Sequence, residues 1–325
     1  MKSVLSDIHY HSEEAAYAYV EARLWPGGPI CPHCGNVNQA RIGKLSGKTT
    51  RIGLYKCYVC RQPFNVKIGT VFEKSHVPMH VWLQAIYLFA ASKKGISTRQ
   101  LQRTFNCGLK TAWFLGHRVR EAMTELNLLD SSPIGAPPTN QLGGDNEVVE
   151  IDETFVGGKA RNRKGKIPPK TPVLSLVERD GGVRSFRVPD VTAQTLKPII
   201  VSHVNKASYI MTDEAPVYWP IGGAFSGHDT VNHSAEEYVR AAFWHTNTVE
   251  NFFSIFKRGI YGCYFHVSEA HLHRYATEFD FRHNNRIALG IDDKSRADRV
   301  LTGVIGKRLT YETTRLARHE TAPSL

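Results

Sequence analysis

Residues 247–257, Asn-Thr-Val-Glu-Asn-Phe-Phe-Ser-Ile-Phe-Lys, carry two stripes at helical spacing. Val249, Phe252, Phe253 and Phe256 fall on one stripe, and Asn247, Glu250, Ser254 and Lys257 fall on the other. A helix whose apolar face is filled by three phenylalanines has one way to meet a core, so its polar face points in a fixed direction. That face sets a carboxylate two turns ahead of a lysine. Such a pair suits a metal ion and a phosphate backbone held side by side, provided that other carboxylates converge. The chain offers two. Asp152 ends Val148-Val149-Glu150-Ile151-Asp152, whose β-branched residues suit a buried strand, and Asp213 ends a second short apolar run, Tyr209-Ile210-Met211-Thr212-Asp213. Glu153, directly after Asp152, points to the opposite face of such a strand and is read as structural.

The chain has 325 residues, a length for two domains or three, and 41 Lys and Arg against 30 Asp and Glu give it a formal net charge of +11. Such a surface field favours polyanions, nucleic acid first among them. The opening Met-Lys-Ser-Val-Leu-Ser-Asp-Ile-His has no apolar signal region, and no apolar run approaches the roughly 18 residues of a membrane span. A soluble protein of the cell interior with no membrane partner is expected. Six cysteines, four of them in two close pairs, fit metal ligation in a reducing compartment better than a disulfide framework. Cys107 and Cys263 are left over as small packed apolar residues.

Changes of composition divide the chain at 1–72, 73–130, 131–146 and 147–325. The first segment holds Cys31-Pro32-His33-Cys34 and Cys57-Tyr58-Val59-Cys60, with 22 residues between the pairs. Each pair presents two thiolates on one tight turn, and two such turns complete a tetrahedral site for Zn²⁺. Four cysteines leave no open coordination position, so the zinc is structural and His33 is a bystander. A redox role for either pair lacks the strand-then-helix context it requires. The second segment reads as helical: an apolar helix over 81–91, a short one from Thr98 to Phe105, a turn at Asn106-Cys107-Gly108, and a third from Lys110 through Trp113, Leu115, Val119 and Met123. It is either a DNA-reading helix-turn-helix, with Lys110, Arg118 and Arg120 toward the DNA, or a helical bundle that only packs; the neighbouring zinc site and the downstream carboxylates favour the first.

Pro, Gly and Ser mark residues 131–140 as a linker. Beyond it, strands are expected near 148–152, 173–178, 183–188 and 208–213, a helix near 193–204, then the helix bearing Glu250 and a long basic helical tail. Lys159, Arg161 and Arg163 lie in a charged loop that is either a solvated hairpin tip or a contact with the DNA backbone. His245, His271 and His273 are read as surface or DNA-facing residues rather than as a second metal site.

Phosphodiester cleavage needs an activated water, a stabilised pentacovalent phosphorus and a relieved leaving oxygen, and two divalent ions about 3.5–4 Å apart supply all three. Mg²⁺, or Mn²⁺ in its place, takes a few carboxylates plus water and substrate phosphate. In that arrangement Asp152 bridges both ions, Asp213 holds one and Glu250 the other. Residues 149–159, Val-Glu-Ile-Asp-Glu-Thr-Phe-Val-Gly-Gly-Lys, with Thr212-Asp213-Glu214, the 245–259 stretch His-Thr-Asn-Thr-Val-Glu-Asn-Phe-Phe-Ser-Ile-Phe-Lys-Arg-Gly, and 278–286, Glu-Phe-Asp-Phe-Arg-His-Asn-Asn-Arg, together resemble the DDE transposases of bacterial insertion sequences of the ISXO-like group. The resemblance covers nearly the whole chain. It implies an α/β protein with an RNase-H-like catalytic domain preceded by a zinc ribbon and a helix-turn-helix, acids presented in the order strand, strand, helix, Asp152 and Asp213 as the two aspartates, and Lys257 as the lysine of the helix. The third acidic position in that group is Asn or Glu. Glu250, 37 residues after Asp213 and seven before Lys257, brings more negative charge to two cations than Asn247, the neutral oxygen donor one turn earlier.

The implied activity is cutting at the ends of a mobile element and joining the freed 3′-hydroxyls to target DNA by direct transesterification. Its implied setting is a homo-oligomer assembled on DNA, in the bacterial cytoplasm at the nucleoid. A catalytically inactive DNA-binding descendant is the other reading. It predicts a lost acidic residue, and all three carboxylates are present.

Overall fold

Ser12 opens the first regular element by accepting the backbone N–H of Ala15 on its hydroxyl, with Glu13 and Glu14 in the first turn complementing the helix dipole. This helix, α1 (Glu13–Leu24), had no counterpart among the expected elements. It buries Ala16, Tyr17, Val20 and Leu24. A small antiparallel sheet follows, β1 (Ile42–Lys44), β2 (Tyr55–Cys57) and β3 (Pro63–Phe64), in that spatial order. Its small core is Tyr55, Phe64, Cys31 and Cys57, with Trp25, Ile42, Cys60 and Ile68 packed against them. Next come α2 (Met79–Ala91), which buries Met79, Trp82, Leu83, Ile86 and Phe89, then α3 (Thr98–Thr104), capped by the Ser97 hydroxyl, and α4 (Leu109–Met123). The turn between α3 and α4 places Asn106 at φ +45°, a left-handed position that Asn tolerates.

The chain then enters a five-stranded sheet made of β4 (Val148–Gly157), β5 (Lys170–Glu178), β6 (Val183–Arg187), β7 (Tyr209–Asp213) and β8 (Gly227–Val231), with spatial order β6-β5-β4-β7-β8. The β4–β5 and β5–β6 pairs are antiparallel, and β4–β7 and β7–β8 are parallel. Helix α5 (Ala193–His203) joins β6 to β7, α6 (Trp219–Gly222) follows β7, and α7 (Asn247–Gly259) and α8 (Glu269–Asn284) come after β8. Because side chains alternate along a strand, β4 feeds two cores. Val149 and Ile151 meet Leu196 and Ile200 of α5 on one face. Val156 joins Val249, Phe252, Phe253 and Phe256 of α7 with Phe279 of α8 on the other.

In this computed structural model residues 3–124, 141–157, 170–231 and 245–310 are described. They fall into two compact units: the first runs to Met123 and resumes at Ile287, and the second spans Thr124–Arg286. The sequence-based division placed everything from 147 to 325 in one segment, whereas α9 (Asp293–Thr302) and the stretch after it pack in the first unit. The physical reason is a set of buried and half-buried polar contacts. Arg296 donates to the Ala90 carbonyl at 2.8 Å, Arg23 pairs with Asp298 at 2.6 Å, and the Lys307 ammonium donates to the Ala122 carbonyl at 3.3 Å. A Cβ on Gly303 would stand 2.2 Å from the Ala122 carbonyl oxygen, so only glycine fits there. Among the described residues no helix is long and apolar enough to cross a membrane.

Candidate active site and metal centre

Parallel pairing of β4 with β7 sets Val148 against Tyr209, Val149 against Ile210 and Glu150 against Met211. Two residues further along the same register, Asp152 comes level with Asp213, where β7 ends. Level residues on parallel strands point to the same face. The Asp213 carboxylate accepts the Ala215 N–H at 3.1 Å, which turns the chain off the sheet beside Asp152.

Helix α7 covers that face. Val249, Phe252, Phe253 and Phe256 are buried, while Asn247, Glu250, Ser254 and Lys257 are exposed, so the two stripes divide core from solvent as expected. The first turn of α7 is held in an unusual way. Its N-cap residue, Thr246, makes no side-chain capping bond to the backbone. The fully buried carboxylate of Glu150 takes its place, accepting the backbone N–H groups of Thr248 at 2.8 Å and Val249 at 3.0 Å. The same carboxylate accepts the Thr248 hydroxyl at 3.0 Å and Arg179 Nε at 2.7 Å. Glu150 appeared in the sequence only as part of a strand motif, and nothing local paired it with Arg179 or His245.

The acids feel one another. Burial pushes the Asp152 carboxyl up to about 7, the Glu153 N–H works against the shift, and the charges of Glu153, Asp213 and Glu250 add to it. Glu153 is likewise raised, first by burial, while a hydrogen bond from the Tyr218 hydroxyl opposes and Asp213 adds. A site in which burial and neighbouring negative charge both keep the Asp152 carboxyl from ionising is one that a divalent cation would relieve. The three acids are not drawn as close as ligands around a bound ion: among the described residues the only group of three or more candidate ligands whose atoms all lie within 4.8 Å of one another is the cysteine four.

That four is Cys31, Cys34, Cys57 and Cys60. The Sγ atoms of Cys31 and Cys60 are 3.6 Å apart and those of Cys34 and Cys57 3.8 Å. Tetrahedral zinc with Zn–S bonds of about 2.3 Å requires sulfur–sulfur edges of about 3.8 Å, so the donors fit Zn²⁺ in type, number and spacing. His33 bonds toward the Pro63 carbonyl, outside the set.

Residues 141–284 match the ISXO2-like transposase domain, and residues 11–63 match the transposase zinc-ribbon domain. The chain thus carries a transposase zinc ribbon followed by an ISXO2-like transposase domain. An uncharacterized protein in transposable element ISH50 of Halobacterium salinarum is 27% identical to it over 266 residues, which are 76% of this chain and 83% of that relative. The first match contains all three acids and the second all four cysteines. Helices α2, α3, α4 and α9 lie outside both matches.

In those helices the structure corrects one expectation and leaves another in place. Lys110 is exposed in the first turn of α4. Arg118 and Arg120 are not on a DNA-facing surface: they are 7% and 2% exposed, Arg118 donates to the Leu309 carbonyl at 3.3 Å with its guanidinium over Phe114, and Arg120 lies over the Phe89 ring. They are interior cations whose stems and planar heads pack on aromatic rings. The exposed cations of α3 and α4 are Lys110 together with Arg99 and Arg103, and the sequence reading passed over the two arginines. His271 is buried rather than at the surface, and His245 is half-buried with Nδ1 3.2 Å from Glu150. Lys159, Arg161 and Arg163, and most of the expected linker, lie outside the described residues.

Proposed function

We propose that this transposase cleaves DNA at the ends of its element and joins the 3′-hydroxyls to target DNA, with Asp152, Asp213 and Glu250 as the acids that hold Mg²⁺. The observation that carries the reading is the convergence of two aspartates, level on adjacent strands, with a glutamate on the helix that covers them, and the upward shift of Asp152 caused in part by both partners. Divalent ions held there would activate the attacking oxygen and stabilise the departing one. The protein supplies everything else. Glu150 and the phenylalanine stripe fix the helix, Lys257 on the Glu250 face offers a point charge to a backbone phosphate, and Asn247, one turn before Glu250, presents a neutral oxygen at the same edge.

The strand, strand, helix order of the acids on a mixed sheet supports an RNase-H-like reading of the second unit. In the first unit the α3–α4 pair, with Lys110, Arg99 and Arg103 exposed, supports a helix-turn-helix that meets DNA through α3 and the start of α4 only. Joining two element ends in one reaction calls for a homo-oligomer on DNA.

The test is cleavage and joining of oligonucleotides that carry the element ends. Asp213→Asn is expected to abolish both at unchanged zinc content, and Glu250→Gln to lower them by about a hundredfold or more. Should Asn247→Ala give the larger loss, the third position passes to Asn247. Full Mg²⁺-dependent activity in Asp213→Asn would refute the triad, and inactivity of the intact protein with retained end binding would favour the inactive DNA-binding descendant.

A further inference from the structure

We infer that Glu150 is a positioning residue that sets the separation between Asp152 and Glu250, and through it the affinity of the acidic site for a divalent cation. The inference rests on the metal-binding role proposed for those acids. Glu150 lies two residues before Asp152 on the same face of β4, about 6.7 Å away along the strand. It also holds the N–H groups of Thr248 and Val249, and Glu250 is the next residue of α7. One carboxylate therefore ties the strand that carries one acid to the helix turn that carries another.

What the phenylalanine stripe cannot do explains why this tie matters. Apolar packing is non-directional, so Phe252, Phe253 and Phe256 fix which way α7 faces far better than where it sits along its own axis. Axial position needs directional bonds, and the described first turn of α7 takes them from Glu150. Arg179 completes the arrangement by donating from Nε to Glu150 at 2.7 Å and from its terminal nitrogen to the His245 carbonyl at 2.7 Å, which also holds the chain just before the helix. Sites that bind paired ions need their donors placed to about 0.5 Å, a tolerance that a sliding helix would exceed.

The experiment measures Mn²⁺ binding to full-length, zinc-loaded protein by electron paramagnetic resonance, without DNA, alongside Mg²⁺-dependent cleavage. Glu150→Gln is expected to weaken Mn²⁺ binding by about tenfold or more, in line with the loss usual for a residue that orients metal ligands. Glu150→Asp, which keeps the charge on a shorter stem, is expected to lose less, and Thr248→Val, which removes the hydroxyl contact and keeps the N–H, a few-fold. A merely structural Glu150 would lower the melting temperature and leave Mn²⁺ affinity at the wild-type value. That result in a folded Glu150→Gln protein overturns the inference. If Glu150→Gln does not fold, unchanged Mn²⁺ affinity in both Thr248→Val and Arg179→Lys overturns it equally. Wild-type protein whose Mn²⁺ binding is indifferent to Asp152→Asn would instead sink the metal-binding role of the acids.

Discussion

Replacing Asp152 by Asn should make the metal-free protein more stable while it destroys activity, and the size of the gain follows from the site. Asp152 titrates at about 7 in the folded chain, against about 3.9 for an aspartate in an unfolded one. Between those values the folded state keeps a proton that the unfolded state has released, so stability falls as pH rises from about 4 to about 7 and the cost is complete above 7. A gap of about 3 units at about 1.36 kcal/mol each amounts to about 4 kcal/mol. Asn has nearly the same shape and never ionises. Urea denaturation of wild-type and Asp152→Asn protein in chelator-treated buffer of low Mg²⁺ should give nearly equal stabilities at pH 4 and a variant more stable by up to about 4 kcal/mol at pH 8. Saturating Mg²⁺ should close that gap by stabilising the wild type alone. A variant no more stable than wild type at pH 8, or a difference that stays constant from pH 4 to pH 8, would refute the electrostatic account of the site.

The ribbon core of Tyr55, Phe64 and Trp25 is too small to fold without its metal. Cys31→Ser plus Cys57→Ser should therefore lose the single zinc and the near-ultraviolet signal of Trp25, and zinc retained in the double variant would contradict the four-cysteine site. Lys110→Ala should reduce the slope of DNA affinity against salt by about 1 with little change in stability. Arg118→Ala should cost about 2–4 kcal/mol of stability, through a lost buried hydrogen bond and ring contact, and leave the slope alone. The opposite pattern in a salt titration would return Arg118 to the DNA-facing surface.

The elements legible in the sequence are those whose signal is local. Strands β4, β5, β6 and β7 announced themselves by β-branched runs, and α7 by a stripe that needs no partner to be read. The two Cys-x-x-Cys pairs specify their own geometry. Strand β8, Gly227-His-Asp-Thr-Val, has no alternation of its own, and it is a strand because β7 offers an edge to pair with. Arg118 and Arg120 misled because a cation on a helix says nothing of which neighbours enclose it. Here the covering residue is Leu309, 191 positions away. Glu150 was visible as a residue and invisible as a tie, since its partners on α7 stand 98 and 99 positions further on. The segment of Ala297, Val300, Leu301 and Val304 was read only as part of a basic helical tail, because nothing local said that these buried residues pack near α2.

The first unit is interrupted by the second, and a ribosome makes the interruption a delay. Residues up to Met123 emerge early, yet the residues that close over α2 and α4 end at about 310, a further 310 − 123 = 187 residues on. At typical synthesis rates that is about 10–40 s during which the apolar faces of α2 and α4 wait uncovered. A chain terminated before about residue 287 would therefore leave the ribosome without the segment that completes its first unit. Every copy able to complete its N-terminal unit also carries the acids of the inserted one.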